Sequence, residues 1–143
     1  MHIGRETDYA LRIILYLVVQ GPGAKVSAGR IAERMSVPER FNLKILRKLS
    51  MKGIVQSSRG IYGGFSLCRS PEELTLLEAI EAIEGPVALC RCIRDEDFCG
   101  LEADWDLCPI QEQPMEAGAA LRDRLSAVTF ASLSVQPLQA TEA

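Results

Sequence analysis

Apolar residues recur with the period of a helix three times in the first half of the chain before the pattern changes. Between Thr7 and Gln20, Ala10, Leu11, Ile14, Leu15 and Val18 share one side, which predicts an amphipathic helix stopped by Gly21-Pro22-Gly23. Lys25-Val26 is expected to be a short strand. Ser27 is a good N-cap for a second helix, with Ala28, Ile31, Ala32 and Met35 as the buried stripe and Arg30, Glu33 and Arg34 opposite. Ser36-Val37 breaks that helix. Pro38 opens a third, reaching about Lys52, with Phe41, Ile45, Leu46 and Leu49 inward and Gly53 as its C-cap. Arg40, Lys44 and Arg47 share its outer face. Asn42 falls on the apolar side, and the sequence supplies no reason for it.

The period then shortens. Ile54 to Ser58 and Gly64 to Cys68 read as two strands, joined by the glycine-rich tip Arg59-Gly60-Ile61-Tyr62-Gly63-Gly64. Pro71 interrupts the chain, and Thr75-Leu76-Leu77-Glu78 matches a capping box for a helix that stops at Gly85-Pro86. Leu89 to Cys108 has no periodicity and reads as a loop. Pro114 is expected to open a last helix through about Val128, with Leu121, Leu125 and Val128 on one face, and Thr129 to cap a terminal turn. The expected fold is mainly α with a small β wing. A winged helix-turn-helix domain covers 1–70, a connecting helix 71–88 and a cysteine-bearing loop 89–109. A C-terminal helix and turn cover 110–134, followed by a disordered tail over 135–143.

Charge sharpens this picture. The net charge of −3 conceals a basic first half, with 12 Lys/Arg against 4 Asp/Glu over 1–69, and an acidic second half, with 4 against 15 over 70–143. A basic half suits a polyanion. Three helices followed by a hairpin is the order of a winged helix-turn-helix, whose second paired helix enters the major groove by its N-terminal end. Pro38, Glu39, Arg40, Phe41 and Asn42 would stand there, with Arg40 suited to guanine edges and Glu39 to cytosine N4. Lys44, Lys48 and the Ser27 hydroxyl suit phosphates, and Arg59, Gly60, Tyr62, Gly63 and Gly64 form a tip suited to the minor groove. The bland alternative is a three-helix core with solvated cations.

The opening residues lack the basic and apolar regions of a signal peptide, and the longest apolar run, Ile13 to Val19, is too short for a bilayer, so a cytoplasmic location without membrane contact is expected. No Ser-His-Asp, P-loop or paired-carboxylate arrangement appears, which argues against an enzyme. In a reducing compartment the clustered thiols Cys90, Cys92, Cys99 and Cys108 point to metal binding or redox chemistry. Cys68 reads as a small buried residue.

Several stretches together resemble the Rrf2 family of bacterial winged-helix transcription regulators. They are Thr7-Asp8-Tyr9-Ala10-Leu11-Arg12, Ile31-Ala32-Glu33-Arg34, Ile45-Leu46-Arg47-Lys48-Leu49, Ser58-Arg59-Gly60 with Gly63-Gly64-Phe65, and Leu76-Leu77-Glu78-Ala79-Ile80-Glu81-Ala82-Ile83-Glu84-Gly85. The similarity covers about 1–134. It implies a homodimer joined by its long C-terminal helices, gripping a pseudo-palindromic operator in double-stranded DNA and expected to repress. It also implies an iron–sulfur cluster, [4Fe-4S] or [2Fe-2S], on Cys92, Cys99 and Cys108, sensing redox state, nitric oxide or iron. These cysteines match the family's three-cysteine loop in order and place, with slightly longer spacings. Where some members have a histidine three residues after the last cysteine this chain has Gln111; another branch uses an acidic residue of the first helix, so the resemblance implies Asp8 of the partner subunit as the fourth ligand. The ordinary reading of Asp8 is a carboxylate favoured by the first helical turn. Cys90 is a bystander or a substitute for Cys92. A zinc-stabilised loop, a thiol switch pairing Cys90 or Cys92 with Cys99, and a protein-interaction module that leaves DNA alone remain as alternatives.

Overall fold

The structure, a computed structural model, describes residues 2–90 and 108–133. Its elements are α1 (Arg5–Gln20), α2 (Ala28–Met35), α3 (Glu39–Met51), β1 (Val55–Ser58), β2 (Gly64–Leu67), α4 (Leu76–Glu84), α5 (Pro109–Ser126) and a 3₁₀ turn at Phe130–Ser132. The mainly helical fold with a small wing matches the expectation. No helix among the described residues is long and apolar enough to cross a membrane.

α1 begins two residues before Thr7, after the extended Gly4, with Glu6 and Asp8 in the first turn where the helix dipole favours acid. Its deepest stripe is Ala10, Ile13, Ile14 and Leu17, while Leu11, Leu15 and Val18 border the core half-buried. The helix is apolar nearly all round because it packs against both α3 and α4. The Ser27 hydroxyl accepts from the Arg30 amide at 3.3 Å and starts α2. Ser36 ends α2 in the left-handed region with φ of 52°, and Val37 donates to the Ala32 carbonyl at 2.9 Å. Pro38 is the N-cap of α3 rather than its first helical residue, so a three-residue turn joins the paired helices.

β1 and β2 are antiparallel, with Val55 opposite Leu67 and Ser58 opposite Gly64. The short strand expected at Lys25-Val26 is a single bridge. Val26 donates to Phe65 at 2.9 Å and accepts from it at 2.8 Å, which hangs the wing on the loop before α2. The capping box of α4 is present in both directions between Thr75 and Glu78.

α5 starts at Pro109, not Pro114. Pro109 holds the first helical position, where a missing N–H costs nothing, and Pro114 lies inside the helix. Past α5 the chain returns to the core. Leu76 donates to Val128 at 2.9 Å, Phe130 donates to Leu74 at 2.9 Å, and Phe130 is 1% exposed. One hydrophobic cluster therefore runs from Ala10 through Leu74, Ala79 and Ala82 to Phe130.

Candidate nucleic-acid interface

The outward side of α3 carries Glu39, Arg40, Leu43, Lys44 and Arg47, all exposed. The Arg40 guanidinium lies 4.8 Å from the Phe41 ring centre, and Phe41 in turn meets Tyr9 with 6.0 Å between ring centres. Phe41 is half-buried, so it supports Arg40 rather than reaching outward itself. Leu43, three residues after Arg40 and four before Arg47, is 59% exposed. In the sequence it stands unassigned, since only the cations are placed on the outer face. An exposed apolar side chain among cations suits a thymine methyl.

Asn42 is a correction. It is 1% exposed, and its Nδ2 donates to the Ala28 carbonyl at 2.7 Å, so it cannot face a base edge. Instead it fastens α3 to the first residue of α2, which explains a polar residue on an apolar face. The Ser27 hydroxyl is already engaged as the cap of α2.

Lys44 and Lys48 are not free cations. Glu6 of α1 pairs with both, Oε1 with Lys44 Nζ and Oε2 with Lys48 Nζ at 2.7 Å. The Lys44 hydrogen bond, followed by that of Lys48, holds the Glu6 carboxyl below its usual range. Arg40, Arg47 and Arg59 have no ion pair among the described residues.

At the wing tip Arg59 and Gly60 are exposed, Tyr62 is 90% exposed and Ile61 97%. The glycines serve the wing's own backbone. A Cβ on Gly63 would lie 2.3 Å from the Ser58 carbonyl oxygen, and one on Gly64 would lie 2.7 Å from that of Val26. Both close approaches are requirements of the hairpin and of its bridge to Val26.

Cys92 and Cys99 lie outside the described residues. Cys108 is the N-cap of α5, a half-exposed free thiol at the start of that helix. Cys90 is a half-exposed cysteine six residues past α4. Asp8 pairs with Arg12 at 2.7 Å. Among the described residues no three His, Cys, Asp or Glu side chains gather to hold a metal ion. Cys68 is exposed, contrary to expectation: β2 ends at Leu67, and no other described residue covers the one after it.

The helix before the cysteine segment is anchored to its neighbours. Glu81 of α4 accepts from the Val87 amide at 3.0 Å and pairs with Arg122 of α5. Glu84, the last residue of α4, accepts from the Thr7 hydroxyl at 2.5 Å and the Gly4 amide at 3.1 Å. The Thr7 hydrogen bond is the largest of the causes that keep the Glu84 carboxyl below its ordinary range.

The family model described as Rrf2, iron-dependent transcriptional regulator, matches residues 3–136. The chain is 26% identical to the HTH-type transcriptional regulator NsrR of Bacillus subtilis, over 87% of this chain and 86% of that protein. It is 33% identical to protein aau3 of Rhizobium meliloti, over 72% and 71%. Among solved structures, CymR, the global cysteine regulator of B. subtilis, superposes with a TM-score of 0.73 at 25% identity, covering 93% of this chain and 95% of that one. IscR of T. potens shares the fold, with a TM-score of 0.73 at 20% identity, covering 92% and 85%. With a helix-turn-helix, a glycine-built wing and a match over nearly its whole length, the chain belongs to the Rrf2 family of transcriptional regulators and is a DNA-binding regulator, not an enzyme.

Proposed function

We propose that this regulator grips its operator as a homodimer and represses, and that an iron–sulfur cluster on Cys92, Cys99 and Cys108, with Asp8 of the partner subunit as fourth ligand, sets its affinity for DNA. In this reading Arg40, Leu43 and Arg47 of α3 meet bases and phosphates, and Arg59, Ile61 and Tyr62 meet the minor groove. The observation that carries it is the match to an iron-dependent regulator family across residues 3–136, a span that includes all four C-terminal cysteines. The free thiol of Cys108 at a helix N-terminus is a suitable soft ligand. When bound, the cluster supplies a group that oxygen, nitric oxide or iron loss alters. The chain's own part is mechanical. Glu81 ties the end of α4 to α5, and Glu84 ties it to the start of α1. A rearranged cysteine segment thus acts on the elements that carry α3, shifting the population that fits the operator.

Anaerobic purification with an absorption spectrum and iron and sulfide assays tests this. The protein should be coloured and contain iron and sulfide, and Cys92→Ala should remove the chromophore. An oxygen-protected protein that lacks iron yet discriminates its operator normally refutes the cluster.

A second reading has an observation in its favour. The chain is similar to CymR of Staphylococcus aureus, solved in an oxidized form with a TM-score of 0.70 at 24% identity, and Cys90 and Cys108 are both half-exposed cysteines. A thiol switch without iron gives a reversible disulfide visible by mass spectrometry after peroxide treatment and absent after reduction.

A further inference from the structure

We propose that Glu6 is a built-in competitor of backbone phosphate for Lys44 and Lys48, so that DNA engages α3 by displacing a carboxylate from the protein's own lysines. The inference rests on the reading that the outer face of α3 meets DNA. A carboxylate and a phosphate present the same chemistry to an ammonium group, namely anionic oxygens that accept charge-assisted hydrogen bonds. Both oxygens of Glu6 are in use, one on each lysine. The pair spans two elements, the first turn of α1 and the middle of α3, so it is built by the fold and not by helical spacing. The Glu6 side chain is 24% exposed, and its carboxyl is held below the usual range, so it stays ionised at neutral pH.

This arrangement lowers the sequence-independent part of binding and leaves the base-reading part alone. Non-specific affinity comes from neutralised phosphates, and each lysine already neutralised contributes less. Arg40 and Arg47, whose geometry suits base edges, have no ion pair among the described residues. The first turn of α1 also holds Thr7 and Gly4 on Glu84, so the competitor sits on a segment fixed from the end of α4.

The test is fluorescence anisotropy with a labelled random-sequence duplex, titrated from about 50 to about 200 mM potassium chloride. The chains compared are wild type, Glu6→Gln, Lys44→Ala/Lys48→Ala, and the triple variant. Glu6→Gln should bind about 3- to 10-fold more tightly at the lowest salt, with a salt slope steeper by roughly one per protomer. The triple variant should lose that gain and match the lysine double variant. Thermal melts of each chain establish folding. Should Glu6→Gln fail to fold, Glu6→Asp, which keeps the charge but shortens its reach, carries the test with a smaller gain. Unchanged or weaker binding by Glu6→Gln overturns the competitor, as does an equal gain in the triple variant. If the lysine double variant binds like wild type, the reading of α3 itself fails, and the competitor with it.

Discussion

The link between Thr7 and Glu84 joins residues 77 positions apart and is the clearest single contact to break. Thr7→Val keeps the shape of a fully buried side chain and removes only the hydroxyl. A hydrogen bond to a charged group is worth about 1.5–3 kcal/mol. Glu84 lies at the surface, where water takes over part of that role, so a loss of about 1–2 kcal/mol is expected. For a chain of 143 residues this lowers the melting temperature by about 3–6 °C. The pH dependence identifies the partner. Glu84 titrates below its unfolded value in the folded chain, so its contribution is complete above that value and fades as pH falls through the folded one. Urea melts should therefore show the full gap between wild type and Thr7→Val at pH 7, narrowing below about pH 4.5. Glu84→Gln in the same cycle should couple to Thr7→Val. A gap of constant size from neutral to acid pH, or strict additivity of the two substitutions, refutes the carboxylate's role and leaves only a packing defect.

Three further outcomes follow from the packing. Phe130→Ala empties a site that is 1% exposed and should cost about 3–5 kcal/mol, read as a drop in the urea midpoint, although the residue lies near the end of the described chain. Thr75→Ala removes one half of the α4 capping box and should cost about 1 kcal/mol in the same assay. Gly63→Ala places a methyl group 2.3 Å from a backbone oxygen of the wing, so it should weaken DNA binding in a gel-shift assay while the far-ultraviolet helix signal stays unchanged.

What the sequence made legible was local. Helix starts marked by Ser27 and Thr75, stops marked by Gly21 and Gly85, and the hairpin tip all appear where residue chemistry places them, because a cap or a turn depends on neighbours a few positions away. The shift of the last helix start from Pro114 to Pro109 has the same origin, since both prolines satisfy the first-turn rule and only the fold chooses between them. The candidate site was less legible, because its character depends on partners distant in sequence. Lys44 and Lys48 look like free phosphate contacts until Glu6, about forty residues earlier, is folded against them. Asn42 looks misplaced until the Ala28 carbonyl appears beneath it. Phe130 reads only as part of a terminal turn until Leu74 accepts its amide. In each case a charged, polar or apolar group acquires its role from the group that satisfies it, and no periodicity records which group that is. The outer face of α3 therefore cannot be scored by counting its cations. Two of them are held by a carboxylate of α1, and the pair without an ion pair among the described residues is the arginines.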